Sequence, residues 1–114
     1  MKAYTAGDCR SALYILSRVP ASSSNALAAQ FYSGVCQMHL DNLPAATVTL
    51  RHVAAAGDSP QQEAAFYYLA QIALARNDAP SARQNLDRTL ALHGEFEQRA
   101  RRQSAALAAA AGKQ

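Results

Sequence analysis

Aligned with itself at an offset of 36, the chain pairs Ala28 with Ala64, Ala29 with Ala65, Phe31 with Tyr67 and Tyr32 with Tyr68. Further along, Gly34 falls on Ala70, Met38 on Leu74, Asp41-Asn42 on Asn77-Asp78, Pro44 on Pro80, Ala46 on Ala82 and Leu50 on Leu86. Matches among alanines come cheaply in an alanine-rich chain, but a matched proline, tyrosine and turn dipeptide do not. A period in the mid-thirties is that of a stacked helical unit, which cannot bury its apolar face alone and must lean on its neighbours. A weaker copy stands earlier, at an offset of 34, with Gly7-Asp8 on Asp41-Asn42, Ala12 on Ala46, Leu16 on Leu50 and Val19 on Val53.

The punctuation divides each unit into two helices. Pro44 and Pro80 fall where a second helix would begin, a position at which the missing N–H costs little. Ser59-Pro60-Gln61-Gln62 reads as an N-cap, a first-turn proline and a glutamine placed to reach back. Gly57 and Gly94 follow apolar stretches that they are expected to end as left-handed caps. The resulting expectation is a helix remnant over 1–6 and helices near 9–19, 25–40, 43–56, 60–76, 79–92 and 95–110, with no strand. Alanine-rich composition, few aromatics and no long β-branched run agree with an all-α chain.

These residues resemble a known pattern. Phe31-Tyr32-Ser33-Gly34 running to Asp41-Asn42-Leu43-Pro44-Ala45-Ala46, and Tyr68-Leu69-Ala70 running to Asn77-Asp78-Ala79-Pro80-Ser81-Ala82, are similar to tetratricopeptide repeats. The resemblance covers roughly residues 1–94 and implies an all-α, right-handed stack of antiparallel helix hairpins, an α-solenoid fragment with a C-terminal capping helix. Its divisions are a partial first repeat at 1–24, repeats at 25–58 and 59–94, and a capping helix and tail at 95–114. A start in mid-unit carries the expectation that the natural protein continues upstream. Gln30, Ser33 and Gln37 depart from the family, standing where it places large apolar residues; Phe66, Leu69 and Ala73 in the next unit follow it more closely.

Little in the chain speaks for chemistry. His39, His52 and His93 lie on separate helices or helix ends, and Cys36 with His39 gives two metal donors without a third, so neither metal nor cofactor is expected. The acidic residues are mostly isolated in turns; there is no paired-carboxylate arrangement, nucleophile motif or phosphate loop, and the chain reads as a non-enzyme. Eleven basic against eight acidic residues leave a net charge of +3, too mild an excess to imply nucleic acid. No run approaches the roughly 20 apolar residues of a membrane span, and no signal-peptide core is visible, so no direct membrane contact is expected and the compartment stays open. Cys9 and Cys36 would fall at helix ends on the same side of a hairpin stack; a disulfide and a pair of small buried thiols are both open readings.

The resemblance implies a non-enzymatic scaffold whose concave groove, formed by the first helix of each hairpin, holds a protein or peptide. Here that face would carry Phe31, Val35, Met38 and His39, then Tyr67, Gln71 and Leu74, without the paired lysine and asparagine with which similar modules clamp a terminal carboxylate. Arg99, Arg101 and Arg102 form the one basic cluster, read as a solvated face of the capping helix or, with Arg101 foremost, as a docking point for an acidic partner. The alternative is a structural or regulatory terminal domain with no ligand of its own. The Gly57-Asp58-Ser59-Pro60 junction and the Tyr67-Tyr68 segment are similar to repeats of bacterial envelope proteins, including exported parts of membrane-anchored anti-sigma-factor-like proteins.

Overall fold

The computed structural model describes residues 6–57 and 59–112 and is built, over that span, of six helices without a strand. They are α1 (Ala6–Leu16), α2 (Ala26–His39), α3 (Leu43–Ala55), α4 (Gln62–Ala75), α5 (Ala79–Ala91) and α6 (Glu97–Gly112). Each helix packs on its neighbours in the chain, and α2 also touches α4. The body is elongated, 47 × 29 × 24 Å. The remnant expected over 1–6 lies outside the described residues apart from Ala6, which opens α1.

The repeat of 36 reappears in the backbone. Asp41 and Asn77 adopt left-handed conformations at φ 61° and 58°, and each closes its helix in the same way. The Asn42 amide donates to the Gln37 carbonyl at 2.9 Å and the Asp78 amide to that of Ala73 at 2.8 Å, the long return bond of a Schellman ending. The second left-handed pair is Gly57 at φ 91° and His93 at 52°. This corrects the expectation for Gly94: the cap falls one residue earlier, on a histidine, although asparagine or glycine suits that conformation better. Gly94 is used for proximity instead, since its α-carbon lies against the Glu63 carboxylate, which accepts the Phe96 amide at 3.3 Å.

Three other boundaries moved for local reasons. Helix α1 stops at Leu16, not at 19, because Val19 precedes Pro20 and is driven out of the helical region. The chain leaves through tight turns in which Arg18 and Val19 donate to Ile15 and Leu16. Gly7-Asp8, aligned with a turn dipeptide, lies inside the first turn of α1, where an aspartate meets the favourable end of the helix dipole. Ser59 does not cap α4. That helix starts at Gln62, Gln61 precedes it without a side-chain cap, and the Ser59 hydroxyl is buried without a partner. The side-chain amide of Gln62 instead donates from Nε2 to the Ala54 carbonyl at 3.1 Å, satisfying the end of α3.

Pro44 and Pro80 lie in the first turns of α3 and α5, as expected, but only α5 has a side-chain cap. The Ser81 amide donates to Asp78 Oδ1 at 3.2 Å, and these bonds with Ser81 hold the Asp78 carboxyl below the usual carboxylate range. A pKa lowered in the folded state stabilises above the unfolded value of about 4 and is lost as pH falls through the folded value. Thermal stability should therefore decline on acidification through that window, and Asp78→Asn, which still caps but does not titrate, should flatten part of the decline. Parallel melting curves of the two proteins from neutral to acidic pH are the check; superimposable profiles would remove the cap from the account.

The core follows the same period. Leu50 of α3 is fully buried among Ala46, Val53, Ala65, Leu69 and Ile72, with Leu27, Phe31 and Met38 of α2 against that cluster. One repeat on, Leu86 of α5 is fully buried against Ala70 of α4 and Ala100 of α6. The small residues sit where helices come closest: Ala46, Ala70 and Ala82 are fully buried, and a methyl group at Gly34 would stand 2.8 Å from Leu50. The polar departures in α2 are partly answered by neighbours. Gln37 Oε1 accepts from the Thr49 hydroxyl at 2.8 Å and Ser33 donates to the Ala29 carbonyl, while Gln30 Oε1 is buried without a partner.

Candidate functional site

The recess richest in aromatic side chains lies where α2 and the first half of α4 meet the loop before α6. It holds about 210 Å³ and is lined by Phe31, Tyr32 and Val35 of α2, Tyr68 of α4, Phe96 of the loop, and Pro60. Helix periodicity puts Phe31 and Val35 on one face of α2, four residues apart. The turn at Pro60-Gln61 starts α4 so that Tyr68 arrives opposite them. Phe96 is fixed from below by the bond of its amide to Glu63, which ties the loop to the start of α4.

The rings form a continuous series. Tyr32 meets Phe31 edge-on at 5.4 Å, Phe31 meets Tyr68 at 5.9 Å, and Tyr68 meets Phe96 at 6.2 Å. Tyr67 closes the series against Phe96 at 4.8 Å. Such offset and edge contacts hold each ring in place beyond what burial of its area provides. Tyr32 is the most exposed of these rings, at 41%. Glu95 adds a carboxylate to the lining, and the Arg99 guanidinium stands 5.6 Å from the Phe96 ring centre. The recess thus offers preorganised aromatic surface with the Glu95 carboxylate in its lining and the Arg99 cation beside Phe96.

Of the residues singled out from sequence, Phe31 and Val35 line this recess, Phe31 half-buried and Val35 buried. Met38 is half-buried against the core, Leu74 is half-buried near the end of α4, and His39 is exposed at the end of α2. Tyr67 and Gln71 face α6: Gln71 and Gln103 exchange two amide hydrogen bonds of 2.6 and 2.9 Å. Arg101 lies on the exposed side of α6, paired at 3.0 Å with Glu97, which also meets His93 Nδ1 at 3.0 Å. Those bonds, that with His93 foremost, lower the Glu97 pKa, although exposed pairs of this kind contribute little to stability. Tyr32, Tyr68, Phe96 and Pro60 were not anticipated. The Tyr32–Tyr68 match at the repeat spacing was a visible signal for two of them; the arrival of Phe96 depends on how α6 crosses α4.

Among the described residues no group of three His, Cys, Asp or Glu side chains could hold a metal ion, and no helix is long and apolar enough to cross a membrane. Cys9 and Cys36 are free and buried. No family model matches the chain, and neither the curated proteins nor the solved structures contain a match to it.

Proposed function

We propose that the chain is a tetratricopeptide-like α-solenoid segment, a right-handed stack of hairpins that binds an extended or helical peptide segment of another protein along the face shared by α2 and α4. The observation that carries the reading is the aromatic recess at Phe31, Tyr32, Val35, Tyr68 and Phe96. Rings already held by one another lose little side-chain freedom on binding, so an apolar anchor entering the recess keeps most of its gain. The repeat in sequence, left-handed caps and core positions supports the solenoid class. No catalytic role is assigned, and nucleic acid is not among the proposed partners.

A second reading has its own observation. The Gln71–Gln103 amide pair and the Tyr67–Phe96 contact place α6 over part of α4. This is what a structural or regulatory terminal domain would do with that surface, the role implied by the similarity to exported repeat domains of bacterial regulators.

Selection from a displayed peptide library against the whole chain, followed by titration of a recovered peptide, separates the two. Tyr32→Ala removes exposed ring surface without opening the core and should weaken binding about tenfold, the loss of an aromatic anchor that a bound segment would bury. Arg101→Glu with Arg102→Glu should change affinity less. Enrichment of no peptide would favour the structural reading, and loss of binding only in the arginine variant would move the docking surface to α6.

A further inference from the structure

Cys9 of α1 and Cys36 of α2 are both fully buried on helices that pack against each other, and the Cys36 thiol feels that of Cys9. The repeat supplies an independent reason for this juxtaposition. At the offsets that relate the units, Cys9 corresponds to Leu43 and Cys36 to Ile72. Ile72 belongs to the core cluster joining α3 to α4, and Leu43 packs against that cluster. The same inter-helix junction is thus filled by two large aliphatic side chains in one unit and by two thiols in the preceding one.

The exchange has an energetic consequence. Two thiols bury much less apolar area than leucine and isoleucine, so the α1–α2 junction is the less adhesive of the two. Helix α1 also has α2 as its main neighbour, and it exposes Tyr14 and Ile15, each 65% accessible. A helix held mainly across one weakly apolar junction opens at low cost in free energy.

We propose that Cys9 and Cys36 are a redox pair: a disulfide between them, formed by exchange with a low-molecular-weight disulfide, locks α1 onto α2. One cysteine thiolate attacks the small disulfide, forming a mixed disulfide and releasing one small thiolate. The second cysteine thiolate then attacks the protein sulfur of that mixed disulfide and expels the other. The protein loses two electrons and two protons; the small disulfide is reduced to two thiols. Burial pushes the Cys36 thiol up to about 12, so the folded protein holds little attacking thiolate. Exchange therefore proceeds through opening of α1, and the bond, once made, suppresses that opening.

The whole reduced chain is incubated with oxidised glutathione, quenched by alkylation under denaturing conditions, and weighed intact. The expected product is a monomer lacking two hydrogens, with neither thiol alkylated, formed faster in sub-denaturing urea. It should melt about 10 °C above the reduced protein, from the loop-closure effect of a bond across this span. The double variant Cys9→Leu with Cys36→Ile copies the next unit's junction; it should fold and melt at one temperature with or without oxidant. Two alkylatable thiols after prolonged oxidation, stable glutathione adducts, covalent dimers, or a bonded monomer melting no higher than the reduced one would each overturn the proposal.

Discussion

Leu50→Ala is expected to cost about 3 kcal/mol of folding stability, within the 2–5 kcal/mol range of buried leucine truncations. Leu50 is fully buried, lies in the cluster shared by α2, α3 and α4, and sits close enough to Gly34 that a methyl group there would meet it at 2.8 Å. Removing its branched end leaves a void among side chains contributed by three helices, which can close only if those helices shift. Val48, two residues before it and 70% exposed, supplies the control. Val48→Ala should stay within about 0.5 kcal/mol of the parent, as surface substitutions usually do. Urea unfolding of the three proteins gives the comparison, and near-equal losses for the two variants would mean that Leu50 is not a keystone of the stack.

The opposite change should harm the next unit. Ala82→Leu is expected to destabilise by about 2 kcal/mol through overpacking. Ala82 is fully buried, as is its repeat partner Ala46, and both stand in the opening turn of a helix that begins beside a proline. With no exposed surface at Ala82, an added branch must displace its neighbours. Arg83→Leu, one position on and exposed, adds the same side chain without that constraint and should leave the melting temperature nearly unchanged. A melting temperature for Ala82→Leu equal to that of the parent would show that the α4–α5 contact is loose enough to absorb a leucine.

The helical class, the number of helices from α1 onward, their pairing in sequence and the small residues at close contacts were legible from Gly34, Ala46, Ala70, Ala82 and the matched prolines. Periodic patterns encode which residues face inward because a helix repeats every 3.6 residues whatever surrounds it. Helix ends were less legible. Gly94 looked like the cap, but His93 took the left-handed position because the repeat spacing and the tie between Glu63 and the loop fix where the chain must turn. Ser59 looked like an N-cap, but the turn at Pro60-Gln61 delayed α4 until Gln62.

The site divides in the same way. The shared face of Phe31 and Val35 on α2 is readable from their spacing, which depends on one helix alone. The sequence also contained the Tyr32–Tyr68 correspondence. That Tyr67 and Gln71 turn toward α6 while Tyr68 and Phe96 complete the recess follows from the packing of α6 on α4. Adjacent tyrosines on a helix point about 100° apart, and which one meets a neighbour depends on the crossing of helices distant in sequence. Ridge-and-groove packing sets that crossing from the combined surfaces of both helices, and no single segment carries the information.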